Sequence, residues 1–232
     1  LVLAPASAVM LARLAAGRAE DMLSCQALAF DGPIVAAPAM NPRMWQNPAT
    51  QANVALLRER GVTFVGPESG VVACKDEGPG RFADLRAVYL AGLKALTPQD
   101  MEGVTVLVTL GPTREDWDDV RFWTNATNGP MGAALAVAAW LRGARVHALC
   151  GPVDRWLPAD PCFHRHDARS AADMLDKAKN LWPTADIGIF TAAVADFRPE
   201  PHGPGKFKKN LAEDGFSLRF LPNQDILRLL AS

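Results

Sequence analysis

An α/β chain of two three-layer αβα units with mainly parallel sheets, both incomplete in this chain, is what the sequence predicts. Three observations carry that expectation. Short apolar runs alternate with longer stretches of helical spacing, the pattern of strand-helix units that build a parallel sheet. The alternation lapses at Thr97-Pro98-Gln99-Asp100 and begins afresh at the apolar run Val104 to Leu110. With 232 residues, 49% hydrophobic and 21% charged, the chain can bury a sizeable core in one or two domains, which excludes disorder.

In chain order, Leu1 to Ala4 and Ile34 to Ala37 read as buried strands. Between them Ser7 to Ala16 has helical spacing and stops at Gly17, a residue that accepts the left-handed conformation of a helix end. Asn47-Pro48 opens a helix that Gly61 closes, since Asn caps free N–H groups and Pro suits the first turn. Val62 to Val65 is the next strand, a glycine-rich loop runs from Gly66 to Gly80, and a helix from about Ala83 to Leu96 completes the unit. The expected division is residues 1–96, a linker over 97–103, and a second unit over 104–232. There Val104 to Leu110, a helix from Met131 to Arg142 ended by Gly143, and Arg145 to Cys150 form a βαβ unit. A helix capped by Ser170, a strand from Asp186 to Ala193 and a last helical stretch from Asp225 to Leu230 follow. This order is Rossmann-like.

Composition narrows the function. A net charge of −1, with no basic run longer than Lys206 to Lys209, leaves no electrostatic footprint for nucleic acid or an anionic membrane. Cys25, Cys74, Cys150 and Cys162 form no CxxC pair, which argues against structural zinc or a disulfide framework and for a reducing, cytoplasmic protein. The apolar start ends at Arg13, short of the roughly 20 residues a span needs and without a basic region before it. The chain opens at Leu1 in mid-pattern without an initiator Met, so a longer parent is expected. The default partner is a small molecule.

The loops carry the chemistry. Pro38-Ala39-Met40-Asn41-Pro42-Arg43-Met44-Trp45 follows a buried strand, where parallel sheets place ligand crevices. Composition alone favours the plainer reading, a Pro-punctuated turn packing Met44 and Trp45 into the core. Ala73-Cys74-Lys75-Asp76-Glu77-Gly78-Pro79-Gly80-Arg81 puts one thiol among charges; an idle loop thiol and a reactive one are both open. Together the runs resemble the homo-oligomeric flavin-containing cysteine decarboxylases, whose phosphopantothenoylcysteine member carries PxMNxxMW and then ACxDxGxGR. The resemblance spans Leu1 to about Leu96.

It implies FMN as cofactor, oxidation of the substrate thiol to a thioaldehyde, loss of carbon dioxide and return of the electrons. By the same resemblance Asn41 binds the substrate carboxylate, Met44 and Trp45 line its pocket, Ser7 touches the flavin, and Cys74 protonates the enethiolate. The family's APA(S/T)ANT is here Ala4-Pro5-Ala6-Ser7-Ala8-Val9-Met10, with two polar side chains replaced by apolar ones. The family's catalytic His aligns upstream of Leu1, so His147, His164, His166 and His202 read as surface or strand histidines, and this stretch alone is not expected to decarboxylate.

In the second unit the strand Val104 to Leu110 runs into Gly111-Pro112-Thr113-Arg114-Glu115, and a polar loop reaches Asn125-Ala126-Thr127-Asn128-Gly129-Pro130-Met131-Gly132 at a helix start. Small residues there let backbone N–H groups approach a phosphate, though such turns are common without nucleotide and neither GxGxxG nor GxxxxGK(S/T) is present. Ala192-Ala193-Val194-Ala195-Asp196-Phe197 and Lys206-Phe207-Lys208-Lys209 read either as a strand end and solvated basic turn or as a triphosphate site. In this order, with Asn223 to Leu227, the pieces resemble the phosphopantothenate-cysteine ligase family from about Gly103 to Ser232.

That resemblance implies activation of 4'-phosphopantothenate by CTP as an acyl cytidylate, followed by attack of the cysteine amine. Phe190, Thr191, Ala192, Asp196, Lys206 and Leu221-Pro222-Asn223-Gln224 would contact CTP, and Asn125 would serve the cytidylate step. Mg²⁺ at Asp196 would offset phosphate charge. The family's NxSSGKMG lacks its lysine here, Pro130 standing in that place, and NPDI is Asn223-Gln224-Asp225-Ile226. The loop between Asp196 and Lys206, rich in Pro and Gly, is expected to be a lid too mobile to stay in place without ligand. A homo-oligomer is expected. Two other readings compete: a nucleotide-dependent oxidoreductase, which the missing dinucleotide fingerprint disfavours, and a non-catalytic or regulatory relative, which Val9, Met10 and Pro130 favour.

Overall fold

A computed structural model describes residues 1–208 and 215–231. The chain divides into two compact units, Leu1–Pro98 and Gln99–Ser232.

In the first unit, β1 (Val2–Ala6), α1 (Ala8–Ala16), α2 (Met22–Ala29), β2 (Val35–Pro38), α3 (Pro42–Gln46), α4 (Pro48–Glu59) and β3 (Thr63–Phe64) follow in order. The three strands form a parallel sheet in the order β1-β2-β3, with Val2 opposite Val35 and Val35 opposite Thr63. Strand residues alternate between faces. Leu3 and Ala36 pack with Leu11, Ala15, Val54 and Leu57 of α1 and α4 on one face. Ala37 packs with Ala83 and Val88 on the other, where α5 (Leu85–Leu96) lies. Between β3 and α5 the chain forms an antiparallel hairpin, β4 (Glu68–Val71) with β5 (Glu77–Arg81), where the sequence suggested only a loop.

The caps anticipated at Asn47 and Gly17 are made: Asn47 Oδ1 accepts from Ala49 N at 2.9 Å, and Gly17 is left-handed at φ +65°. Ser7, expected as the first helical residue, instead caps α1, its Oγ accepting from Met10 N. Helix α2 is not signalled by the apolar spacing of the sequence. Met22, Leu23 and Leu28 are exposed while Ser24 and Ala27 are buried, so its apolar residues trace no stripe at helical spacing.

The second unit has β6 (Thr105–Leu110), a hairpin of β7 (Arg114–Asp116) and β8 (Phe122–Thr124), α6 (Pro130–Leu141), β9 (Arg145–Cys150), β10 (Phe163–Asp167), α7 (Ala171–Leu181) and β11 (Ile187–Phe190). A second hairpin, β12 (Phe197–Pro199) with β13 (Phe220–Pro222), and α8 (Ile226–Leu230) follow. The main sheet is parallel in the order β10-β9-β6-β11. Leu107 and Leu149 face α7 and α8 through Met174, Leu175, Ala178 and Ile226. On the opposite face α6 approaches so closely that a Cβ on Gly132 would lie 2.5 Å from Leu110 Cβ. Helices on both faces of a mainly parallel sheet make each unit a three-layer α/β structure, as predicted. Strand β10, Phe-His-Arg-His-Asp, was not anticipated, because an edge strand can carry polar residues that hide its period.

Candidate functional site

The first cluster lies beyond the carboxyl ends of β1 and β2, which come together as Ala39 N donates to Ala6 O. Asn41 caps α3, its Oδ1 accepting from Arg43 N at 2.9 Å, which leaves the amide nitrogen to point away. That Nδ2 reaches Cys74 Sγ at 3.1 Å and also donates to Asp76 Oδ2. Cys74 sits in the tight turn of the β4–β5 hairpin, where Val72 N donates to Asp76 O and Lys75 N to Val72 O. Lys75 closes the turn at φ +68°, the left-handed step such hairpin loops use.

Gly80 docks the hairpin onto the Asn41 turn. It stands at φ +154° with its carbonyl accepting from Met40 N, and a Cβ there would lie 2.2 Å from Met40 O. No side chain fits this approach. Around the pair, Met40, Val71, Val72, Ala73 and Phe82 help line a cleft of about 510 Å³. Met44 and Trp45 do not line it: Met44 is exposed and Trp45 packs on the unit's core. Ser7 stands at the same sheet edge, at the N-terminus of α1.

The second cluster lies beyond the carboxyl ends of β6 and β11. A cleft of about 270 Å³ gathers Phe190, Ala192, Asp196, Asn223 and Gln224, with Thr109 and Asp225 beside them. Thr191 turns away from it and donates its hydroxyl to Thr109 O at 2.7 Å. Leu221 and Pro222 belong to β13 and do not line the cleft. Asn223 is held on three sides: its N–H donates to Asp196 O, its Nδ2 to Ala195 O at 2.8 Å, and its Oδ1 accepts from Arg198. Asn125 Nδ2 donates to Ala193 O at 3.1 Å and lies 3.4 Å from Val194 O, so it braces the loop that presents Asp196.

Sequence reasoning passed over the buried polar residues that assemble this region. Thr113, fully buried, donates N–H to Ala193 O while its Oγ1 accepts from Ala195 N at 3.0 Å. Glu115, also buried, accepts from Ala171 N at the start of α7, where the helix dipole favours a carboxylate. Pro130 takes the first position of α6, where its missing N–H leaves no bond unmade. Lys206 and Lys208 are exposed; Lys209 lies outside the described residues.

The loop before Lys206 differs from expectation. It is tied to the turn of the β7–β8 hairpin, with His202 N donating to Trp117 O at 2.7 Å, Gly205 N to Asp119 Oδ2 at 2.8 Å and Phe207 N to Asp118 Oδ2 at 3.0 Å. Burial of Asp118 opposes its ionisation, but N–H donors from Phe207, Arg121 and Val120 and the Arg121 guanidinium outweigh it and bring the carboxyl down to about 2. Elsewhere in the unit, His147, His164 and His166 gather on β9 and β10, with His147 Nδ1 3.0 Å from His166 Nε2. Burial first, then the neighbouring imidazoles, lower the pKa of His147; burial likewise leads for His166. Among the described residues no group of three or more His, Cys, Asp or Glu is placed to hold a metal ion.

Two parallel-sheet units, each with a cleft at the carboxyl edge of its strands, define the class: an α/β protein with crevices where parallel sheets place their ligand sites. Residues 101–232 match the DNA/pantothenate metabolism flavoprotein C-terminal domain, and residues 1–93 match the Flavoprotein family. The chain belongs to the DNA/pantothenate metabolism flavoprotein C-terminal domain family.

It is 40% identical over 227 residues to the coenzyme A biosynthesis bifunctional protein CoaBC of Vibrio vulnificus strain YJ016, covering 98% of this chain and 56% of that protein. The protein of the same name from Bacillus subtilis strain 168 is 39% identical over 233 residues, covering 99% and 57%. The chain thus spans just over half the length of these relatives. Among solved structures, the C-terminal domain of a coenzyme A biosynthesis bifunctional protein CoaBC is 35% identical, covering 56% of this chain and 59% of its own, with a TM-score of 0.47. The FMN-dependent cysteine decarboxylase SpaF is 41% identical, covering 42% and 52%, with a TM-score of 0.36.

Proposed function

We propose that this chain is part of a bifunctional enzyme of coenzyme A biosynthesis, in which the first unit decarboxylates phosphopantothenoylcysteine and the second couples 4'-phosphopantothenate to cysteine with CTP. The observation that carries the reading is the Asn41 amide on the Cys74 sulfur, 33 residues apart, within a cleft at the sheet edge. The curated relatives named for coenzyme A biosynthesis support it across 98–100% of the chain.

FMN suits the first cleft. Its lining of Met40, Val71, Val72 and Ala73 is the kind of apolar wall a flat ring packs on, and α1 directs its N-terminal dipole toward the edge where Ser7 stands. FMN would supply oxidation of the substrate thiol and return of the electrons. Asn41 would hold the substrate carboxylate by its amide N–H, and Cys74 would give its Sγ proton to the enethiolate carbon after carbon dioxide has left. Met44 and Trp45, outside the cleft, would reach substrate only at its rim.

In the second unit, Phe190, Thr191, Ala192, Asp196 and Leu221 to Gln224 would form the CTP site, with Lys206 meeting the triphosphate and Asn125 serving acyl cytidylate formation and its conversion. A pre-formed protein cage for Mg²⁺ is not needed, since that ion is commonly held by one or two carboxylates and the substrate's phosphates; Asp196 would be the protein ligand. The protein would act in the cytoplasm as a homo-oligomer, on small molecules. No helix among the described residues is long and apolar enough to cross a membrane.

The full-length protein supplies the test. Flavin absorbance with carbon dioxide release from phosphopantothenoylcysteine, and labelled CTP scored separately for cytidylate and amide, should both be positive. Colourless protein that neither decarboxylates nor consumes CTP would leave a non-catalytic relative as the answer.

A further inference from the structure

The turn between β7 and β8 holds the peptide on both sides of one lysine. Gly205 N–H donates to the Asp119 carboxylate at 2.8 Å and Phe207 N–H to the Asp118 carboxylate at 3.0 Å, with Lys206 between them. Arg121 closes the arrangement, its Nη1 binding Asp118 at 2.6 Å and reaching Phe207 O at 3.3 Å. Beneath it, Trp117 packs against His202, Phe207 and Phe216, the last stacked at 5.3 Å with the rings 1° from parallel. Asp118 is 6% exposed and fully supplied with donors, whereas Asp119 and Lys206 are exposed. The lysine side chain therefore stays in solvent on a backbone that is already ordered.

We propose that Asp118 and Asp119 are positioning residues for Lys206, clamping its flanking N–H groups so that the ammonium is held ready for a triphosphate. The proposal rests on the ligase reading and adds two residues to it. Neither carboxylate touches nucleotide; like charge would oppose that, and each is engaged with backbone. Their effect is entropic. A lysine on a free Pro- and Gly-rich loop must order that loop at the moment of binding, whereas a clamped one loses chiefly its own rotamers. The same acceptors explain why a loop with this composition is held at all.

The deciding variant is Asp119→Ala in the full-length protein, because Asp119 is exposed and its removal strands no buried donor. Three results are expected: faster trypsin cleavage after Lys206 at an unchanged melting temperature, a KM for CTP raised about three- to tenfold, and an unchanged KM for cysteine. Added to Lys206→Gln, the Asp119 change should cause no further loss of cytidylate formation, since it acts only through that lysine. Asp118→Asn should give the larger effect on cleavage and on the KM for CTP, with the KM for cysteine again unchanged. Unchanged cleavage and unchanged CTP dependence in Asp119→Ala overturn the clamp, as does full additivity with Lys206→Gln. If the unsubstituted protein forms no cytidylate, the ligase reading fails instead. The cleavage comparison then still decides the clamp, equal rates removing it and faster cleavage upholding it.

Discussion

Two loops carry the proposed chemistry, and they are positioned by different physics. In the first unit Cys74 rides on a β-hairpin with its own ladder, and the hairpin is seated by backbone: Gly80 lies against Met40 with no room for a side chain. In the second unit the peptide around Lys206 is seated by side chains, two carboxylates of one turn, Asp119 lying 86 residues from Gly205 and Asp118 89 residues from Phe207 in sequence. A proton donor must sit within hydrogen-bond reach of a reacting atom, which favours a rigid backbone mount. A lysine that meets a flexible polyanion tolerates an adjustable one.

The sharpest test of the contrast is Cys74→Ser. Cys74 is exposed and its hairpin does not depend on it, so the fold should persist while the final protonation slows by about 10²- to 10⁴-fold. Product analysis should show carbon dioxide released and the unsaturated product accumulating; turnover at the parent rate would end the proton-donor role. Next is Gly80→Ala, expected to destabilise by about 1–3 kcal/mol in denaturant unfolding because Met40 O occupies the space. Gly61→Ala is the control. It shares a positive φ but meets nothing within 4 Å, so it should cost about 1 kcal/mol of backbone strain and leave the Cys74 loop in place. Equal losses would refute the close-approach argument.

A third effect belongs to the second unit alone. His147 and His166 have lowered pKa values in the folded chain, so between those values and the ordinary imidazole value near about 6.5 the unfolded chain binds more protons. Stability should be fully present above that ordinary value and fall as pH drops below it, in thermal melts compared at pH 7.5 and 5.5. Lys177 and Asp167 lie beside His166 and Arg145 beside His147, so His166→Gln should flatten the slope without abolishing it. The smallest expected effect is Arg142→Ala. The guanidinium meets Asp100 at 2.8 and 2.6 Å, but both partners are about half exposed, and the loss should be about 0.2–1 kcal/mol.

Periodicity alone reached the layer architecture and most of the elements. The helix expected over Met131 to Arg142 occupies Pro130–Leu141, and the strand expected over Val104 to Leu110 occupies Thr105–Leu110. These segments carry dense apolar residues at one period, which is a local property. What escaped was α2, whose apolar residues circle the helix, and β10 and the short hairpin strands such as Glu68–Val71, Glu77–Arg81 and Arg114–Asp116, whose polar and glycine residues show no apolar alternation. At the candidate sites the motifs named Asn41 and Cys74, yet only the fold brings the amide to the sulfur. Met44 and Trp45 lie in the same motif but outside the cleft, because a five-residue helix turns successive side chains in different directions.

The sequence by itself determined the apolar central strands, the main helices with their turn glycines, and the types of side chain available at each sheet edge. Tertiary structure alone decided which of those side chains meet. Thr113, Glu115 and Asp118 look like ordinary polar loop residues in the sequence; once buried, each takes up N–H groups from elsewhere in the fold, Asp118 from its own turn as well. The reason is that a buried polar group must be paired, and its partner is chosen by packing rather than by spacing along the chain.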